Sequence, residues 1–162
     1  MRFATIALLV FCFCTTQSLA ESEVDPNIDR APMDTRLNRA NIIGKWYLNQ
    51  PTTKGGVWRV LSSLNADGSY LMQFEEHLNG EIIQKYSEEG FWGVSGNIHF
   101  TITRGGHIDG KPVTVPPERP ANYLAYEILE LSASTFVYAS IVSKNQFQSR
   151  KVPEDFQLPP LD

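Results

Sequence analysis

Glu76 is the residue in this chain best placed to do chemistry. From Ser69 to Leu78 the sequence alternates, so that an extended segment carries Tyr70, Met72, Phe74, Glu76 and Leu78 on one face. If that face is internal, Glu76 is a carboxylate among aromatic and aliphatic side chains. Such a group is costly to bury unless it is paired or protonated, and it can then anchor the polar end of a bound molecule. Glu127, flanked at two-residue spacing by Ala125 and Leu129, reads the same way. The alternative for both acids is a place near one end of the domain, in contact with water. Tyr70, Phe74, Tyr86, Phe100, Tyr123, Tyr126, Phe136 and Tyr138 supply either an apolar cavity with hydroxyl handles or the filling of a solid interior. The candidate ligand-binding set is therefore Tyr70, Met72, Phe74, Glu76, Tyr86 and Glu127.

Other chemistries find no support. His77 and His99 fall on strand positions that face away from the apolar set, and His107 lies in a glycine-rich segment beside Asp109, too few ligands for a metal. Asp25-Pro26-Asn27-Ile28-Asp29 opens like a calcium loop, but Arg30 stands where glycine is needed and Arg36 where the twelfth-position glutamate belongs. Gly93-Val94-Ser95-Gly96 is one residue short of a nucleophile elbow and precedes no helix. The paired acids Glu75-Glu76 and Glu88-Glu89 point to opposite faces of a strand and cannot act as a dyad. No phosphate-cradling glycine loop occurs. Neither a cofactor nor a catalytic residue is implied, and the expectation is a protein that is not an enzyme.

The elements that must hold the candidate site are almost all strands. Asp34 to Asn41 is a helical turn with Asp34 as its N-cap. Period-two patterning then predicts strands at 45–49, 57–64, 69–78, 81–88, 90–94, 98–104, 121–131, 135–143 and 146–152. Asp67-Gly68 and Asn79-Gly80 are hairpin turns, because glycine accepts a positive φ. Residues 105–120, with three glycines and four prolines, read as a long loop. With short connections and no helix of packing length between strands, parallel βαβ units are excluded. A meander of this length closes to remove its edges, which predicts an all-β fold: an up-and-down antiparallel β-barrel of about eight to nine strands with a short N-terminal helical turn. An eight-stranded barrel can hold one small ligand.

The short turn followed by Gly44-Lys45-Trp46 and then hairpin-linked strands resembles the lipocalin-like (calycin) superfamily over roughly residues 34–152. The chain is most similar to the small bacterial lipocalin-like domains, since it lacks the C-terminal helix and disulfide of the animal proteins. The resemblance implies that Trp46 closes the lower end of the barrel beneath an arginine from the last strand, and Arg150 is the matching position. Gly44, Trp46 and Arg150 form the expected structural signature.

The flanks point to export. Arg2, the apolar run from Phe3 to Cys14 and the small residues of Ser18-Leu19-Ala20 read as a signal peptide over 1–20, cleaved after Ala20. Residues 21–33 read as a flexible leader, 34–152 as the barrel and 153–162 as a proline-rich tail. Both cysteines lie in the signal segment, so the mature 142 residues (162 less 20) would be cysteine-free. Without Arg2, 13 Lys and Arg (14 less one) face 18 Asp and Glu, a net charge of −5 with no basic stripe. Nucleic acid is excluded as a partner on that ground, and so is a polybasic membrane patch. The apolar run is too short for a membrane span. The compact leader and the absence of a glycosylation sequon suggest a bacterial periplasm or secreted fraction. The expected function is a monomeric, non-enzymatic barrel that binds a small apolar or amphipathic ligand inside. The alternative is an envelope or secreted interaction or inhibitor module, meeting a protein partner through the 105–120 loop and the tail.

Overall fold

Alternating side chains and tight turns produce the expected closed sheet. A computed structural model of the chain describes residues 33–159. The predicted signal peptide, its cleavage site after Ala20 and all but the last residue of the 21–33 leader lie outside the described residues. A helix, α1 (Met33–Ile42), precedes nine strands: β1 (Gly44–Pro51), β2 (Val57–Leu64), β3 (Ser69–Leu78), β4 (Glu81–Ser95), β5 (Ile98–Ile108), β6 (Lys111–Thr114), β7 (Tyr123–Leu131), β8 (Thr135–Ser140) and β9 (Gln146–Val152). All pairings are antiparallel. β1–β2–β3–β4–β5–β7–β8–β9 form a ring closed by β9 on β1, and β6 pairs with β5 alone. Among the described residues, no helix is long and apolar enough to cross a membrane.

Two glycine-rich stretches depart from the sequence expectation. Gly90 does not separate two strands: β4 runs through it, with a register shift against β5 between Glu89 and Gly90. A Cβ on Gly90 would stand 2.0 Å from the Ile102 carbonyl oxygen, so this glycine permits a close strand approach. Residues 105–120 are likewise not one long loop. Gly105 and Gly106 lie inside β5, and Gly106 faces the Ser87 carbonyl at 1.9 Å from where a Cβ would sit. The chain reverses at Asp109-Gly110, both at positive φ, and returns as β6. The strand expected over 135–143 ends at Ser140, because residues 141–145 turn back into β9.

The end of the barrel under α1 is solid. Ile42, Trp46, Leu64, Tyr70, Trp92 and Phe136 pack there as one buried cluster. Gly44 enters β1 at φ +122°, a conformation that favours glycine, and Trp46 follows with its indole nitrogen donating to the Ile42 carbonyl at 2.6 Å. Phe136 meets Trp46 edge-on at 5.6 Å. The helix is fixed to the same end: the Thr35 hydroxyl accepts from the Gly96 amide at 2.7 Å, and Asn38 donates to the Gly96 carbonyl at 3.0 Å.

The cation over Trp46 is not Arg150. Lys151 is paired opposite Trp46 in the β1–β9 ladder and holds its ammonium 5.1 Å from the indole centroid. Arg150 pairs with Tyr47, one residue out of phase, and therefore points to the outer face, where it lies over Tyr47 at 5.0 Å and Phe156 at 5.3 Å. That outer face has a covering of its own. After β9 the tail doubles back, and Phe156 and Leu158 pack on Tyr47, Leu61 and Val152.

Candidate functional site

Above the solid end, the inward side chains leave space. A cavity of about 260 Å³ is lined by residues that include Leu48, Met72, Phe74, Tyr86, Glu88 and Tyr126. Its walls are built by strand parity. On one side Trp58 of β2, Phe74 of β3 and Tyr86 of β4 stand in consecutive strands. Phe74 and Tyr86 stack at 4.5 Å with ring planes 7° apart, and Trp58 meets Phe74 edge-on at 6.0 Å. Across the ring, Tyr126 of β7, Tyr138 of β8 and Phe147 of β9 form the second wall, with Tyr138 stacked on Phe147 at 5.3 Å and Tyr126 perpendicular to Tyr138 at 5.2 Å. The result is a slot between two aromatic faces.

The polar groups in the slot are few. Glu88 extends inward from β4, two residues beyond Tyr86. Thr103 donates to its Oε2 at 3.5 Å, and the Thr103 hydroxyl is paired with Tyr70 at 2.8 Å. Burial pushes the Glu88 carboxyl above its ordinary range, and the Thr103 bond only partly opposes this. Burial also drives Tyr86 and Tyr126 up to about 12, with the Glu88 charge adding to the effect in both. His99 lies deeper, 2% exposed, between the cavity and the solid end. Burial lowers its pKa to about 4, against a smaller opposing effect of the Gly93 backbone, and its Nδ1 has no hydrogen-bond partner. The imidazole is therefore neutral at pH 7. Among the described residues, no Lys or Arg lines the cavity.

Met72, Phe74 and Tyr86 of the sequence-derived set are brought together in this lining. Tyr70 faces inward but belongs to the solid end, hydrogen-bonded to Thr103. Glu76 stands beside Trp58, half-buried, and lines a cleft of about 470 Å³ that shares Leu48, Trp58 and Phe147 with the cavity. Glu127 is on the wrong face. Tyr126 turns inward, so Glu127 is exposed, within 3.4 Å of the Asn97 amide. His77 and His99 were expected on the same outward side, and they divide: His77 is buried outside the barrel wall, and His99 is inside it. On β5 the inward face is the polar one, with His99, Thr101 and Thr103 all buried, while Ile98, Phe100 and Ile102 turn outward. Phe100 fills the space left by the missing side chain of Gly93, where a Cβ would lie 2.4 Å from its ring.

Sequence reasoning missed Glu88, although a signal was present: it follows the chosen Tyr86 at the strand period of two. Tyr138 and Phe147 could be read as interior residues from the same alternation. A second space, about 530 Å³, lies between the upper parts of β4 and β5, β6 and residues 115–122; it shares Tyr86 and Glu88 with the cavity. Its Asn122 side chain is fixed by a 2.7 Å hydrogen bond to the Pro116 carbonyl. Among the described residues, no group of three or more His, Cys, Asp or Glu side chains is placed to hold a metal. No protein-family model matches the chain, and no curated protein matches it either.

Proposed function

We propose that this chain is an exported, non-enzymatic member of the lipocalin-like barrels that holds one small apolar or amphipathic molecule in its interior. The observation that carries the reading is the 260 Å³ slot between the Trp58–Phe74–Tyr86 and Tyr126–Tyr138–Phe147 walls. Its volume is that of about nine waters at liquid density, just under the usual ligand-pocket range of roughly 300–1,000 Å³. A compact molecule fits that space and a long-chain lipid does not. The helix plug and the Trp46 cluster close the other end, which supports a container with one mouth over a pore. The tail weighs against the alternative, because its Phe156 and Leu158 are spent on the barrel's own outer face.

The test pairs extraction with binding. Organic solvent should release a small molecule from purified protein, or a polarity-sensitive naphthalene dye should bind with a blue-shifted emission. Met72→Trp, which fills the slot, should abolish dye binding while the far-ultraviolet circular dichroism spectrum is kept. If nothing is extracted and no dye binds, the reading fails.

A further inference from the structure

Resting on the container reading, we infer that the slot selects a compact organic cation, an aromatic or short alkyl amine, whose ammonium group meets Glu88 while its apolar part lies between the two aromatic walls. Three features of the lining point this way. Among the described residues Glu88 is the only carboxylate in the lining, and no Lys, Arg or charged His lines the slot with it. Its one hydrogen bond, from Thr103, is long at 3.5 Å and leaves acceptor positions unused. On the slot side, Tyr86 on its own strand, Tyr70 and Met72 on β3, Thr103 on β5 and Tyr126 bring no positive charge. The second space that Glu88 borders also holds Lys85, His107 and Arg119, but among the described residues the ion pairs all go to Glu75 and none to Glu88.

Ligand classes separate on those grounds. An anion such as a fatty acid would set its carboxylate against Glu88 with no cation to receive it. A neutral molecule would fill the slot and leave the buried carboxyl uncompensated, which is costly. A cationic head supplies the missing partner, and the faces of Tyr86 and Tyr126 add an attraction for positive charge. The volume limits the apolar part to about one ring.

The experiment titrates three probes of matched size, phenethylamine, 2-phenylethanol and 3-phenylpropionate, into the full chain by calorimetry at pH 7.5. The change in tryptophan fluorescence that is lost in Trp58→Phe serves as an independent signal from the lining, since Trp46 and Trp92 lie in the solid end. The amine should bind at least about tenfold more tightly than the alcohol, and the acid more weakly than both. Glu88→Gln should collapse the amine-to-alcohol ratio to about one, whereas Glu127→Gln, outside the wall, should leave it in place. Circular dichroism and thermal melting establish that both variants fold. Equal binding of amine and alcohol by the parent protein would overturn the inference, as would an amine preference that survives Glu88→Gln. If none of the three binds but the naphthalene dye does, the cation selectivity falls and the container stands. If the dye fails as well, both fall together.

Discussion

Glu75 and Glu88 are carboxylates shielded on opposite sides of one barrel wall, and their surroundings treat them in opposite ways. Glu75 points outward from β3. Lys85 reaches it at 3.0 Å, His77 at 3.1 Å and Arg59 at 4.0 Å. Burial alone would raise its pKa, but these partners outweigh that effect and hold it below the usual carboxylate range. The cluster is roofed as well: the Arg59 guanidinium donates to the Pro159 carbonyl of the tail and to the Tyr47 hydroxyl. Glu88, on the inside, has Thr103 and little else, and its pKa moves the other way. The outer carboxylate has its ionic partners within the chain. The inner one keeps a single long hydrogen bond from Thr103, and that asymmetry separates a structural ion cluster from the group to which we assign a ligand.

Removing the roof should have the largest effect. Truncation after Pro153 takes away Phe156, Leu158 and the Pro159 carbonyl, and should cost about 3 kcal/mol in urea denaturation. A loss under about 1 kcal/mol would mean that the outer cluster does not depend on its cover. Glu75→Ala comes next. It leaves Arg59 and His77 without their shared acceptor and should cost about 2 kcal/mol by the same measurement. Glu88→Gln should have the opposite sign and a smaller size, a gain of about 1 kcal/mol at pH 7 in the ligand-free protein, or a few degrees in the melting temperature. A loss there would show that Glu88 has partners as effective as those of Glu75, and the contrast would break.

The finest discrimination comes from pH. The folded-state pKa of Glu75 is lowered, so its contribution is full above the ordinary carboxylate range and fades as the pH falls through it. The folded-state pKa of Glu88 is raised, so its penalty is full above that raised value and disappears below the ordinary range. The Glu75→Ala deficit and the Glu88→Gln gain should therefore both shrink between pH 7 and pH 3. Denaturation of the parent and the two variants at the two pH values checks this. His99 contributes equally to all three proteins: its lowered pKa makes every one of them lose stability as the pH falls from about 6.5 through about 4, so the differences isolate the carboxylates.

How much of this was legible in the sequence depended on parity. Alternation located the strands well, and the interior positions Met72, Phe74 and Tyr86 followed from it. Alternation alone does not say which face is inside when both faces carry apolar residues. On β5 the outward Ile98, Phe100 and Ile102 are more apolar than the inward His99, Thr101 and Thr103, and on β7 Ala125 and Leu129 flank the outward Glu127 while Leu124, Tyr126 and Ile128 turn inward. On β1, β2 and β9 the outer wall is apolar where the tail covers it, a tertiary fact with no local sequence mark. Arg150 and Lys151 differ by one step of the ladder, and only the register against Trp46 decides between them. Gly105 and Gly106 suggested a loop because glycine breaks strands on average, whereas here it lets two backbones approach.

The hairpin carrying β6 has a consequence for how the protein behaves in a crowd. Closure of the ring gives each of the other strands two neighbours, so among the described residues β6 is the strand paired along one side only for its whole length; the start of β4, Glu81 to Lys85, is also paired on one side only, with β3. The β6 edge is four residues long and exposed, and it opens with Lys111-Pro112. Pro112 has no amide hydrogen to share, and the lysine brings charge where a second chain would have to align. A strand from a neighbouring molecule thus finds almost nothing to template on at β6. At high concentration β6 should resist edge-to-edge aggregation, and it does so with no cysteine among the described residues to staple the fold.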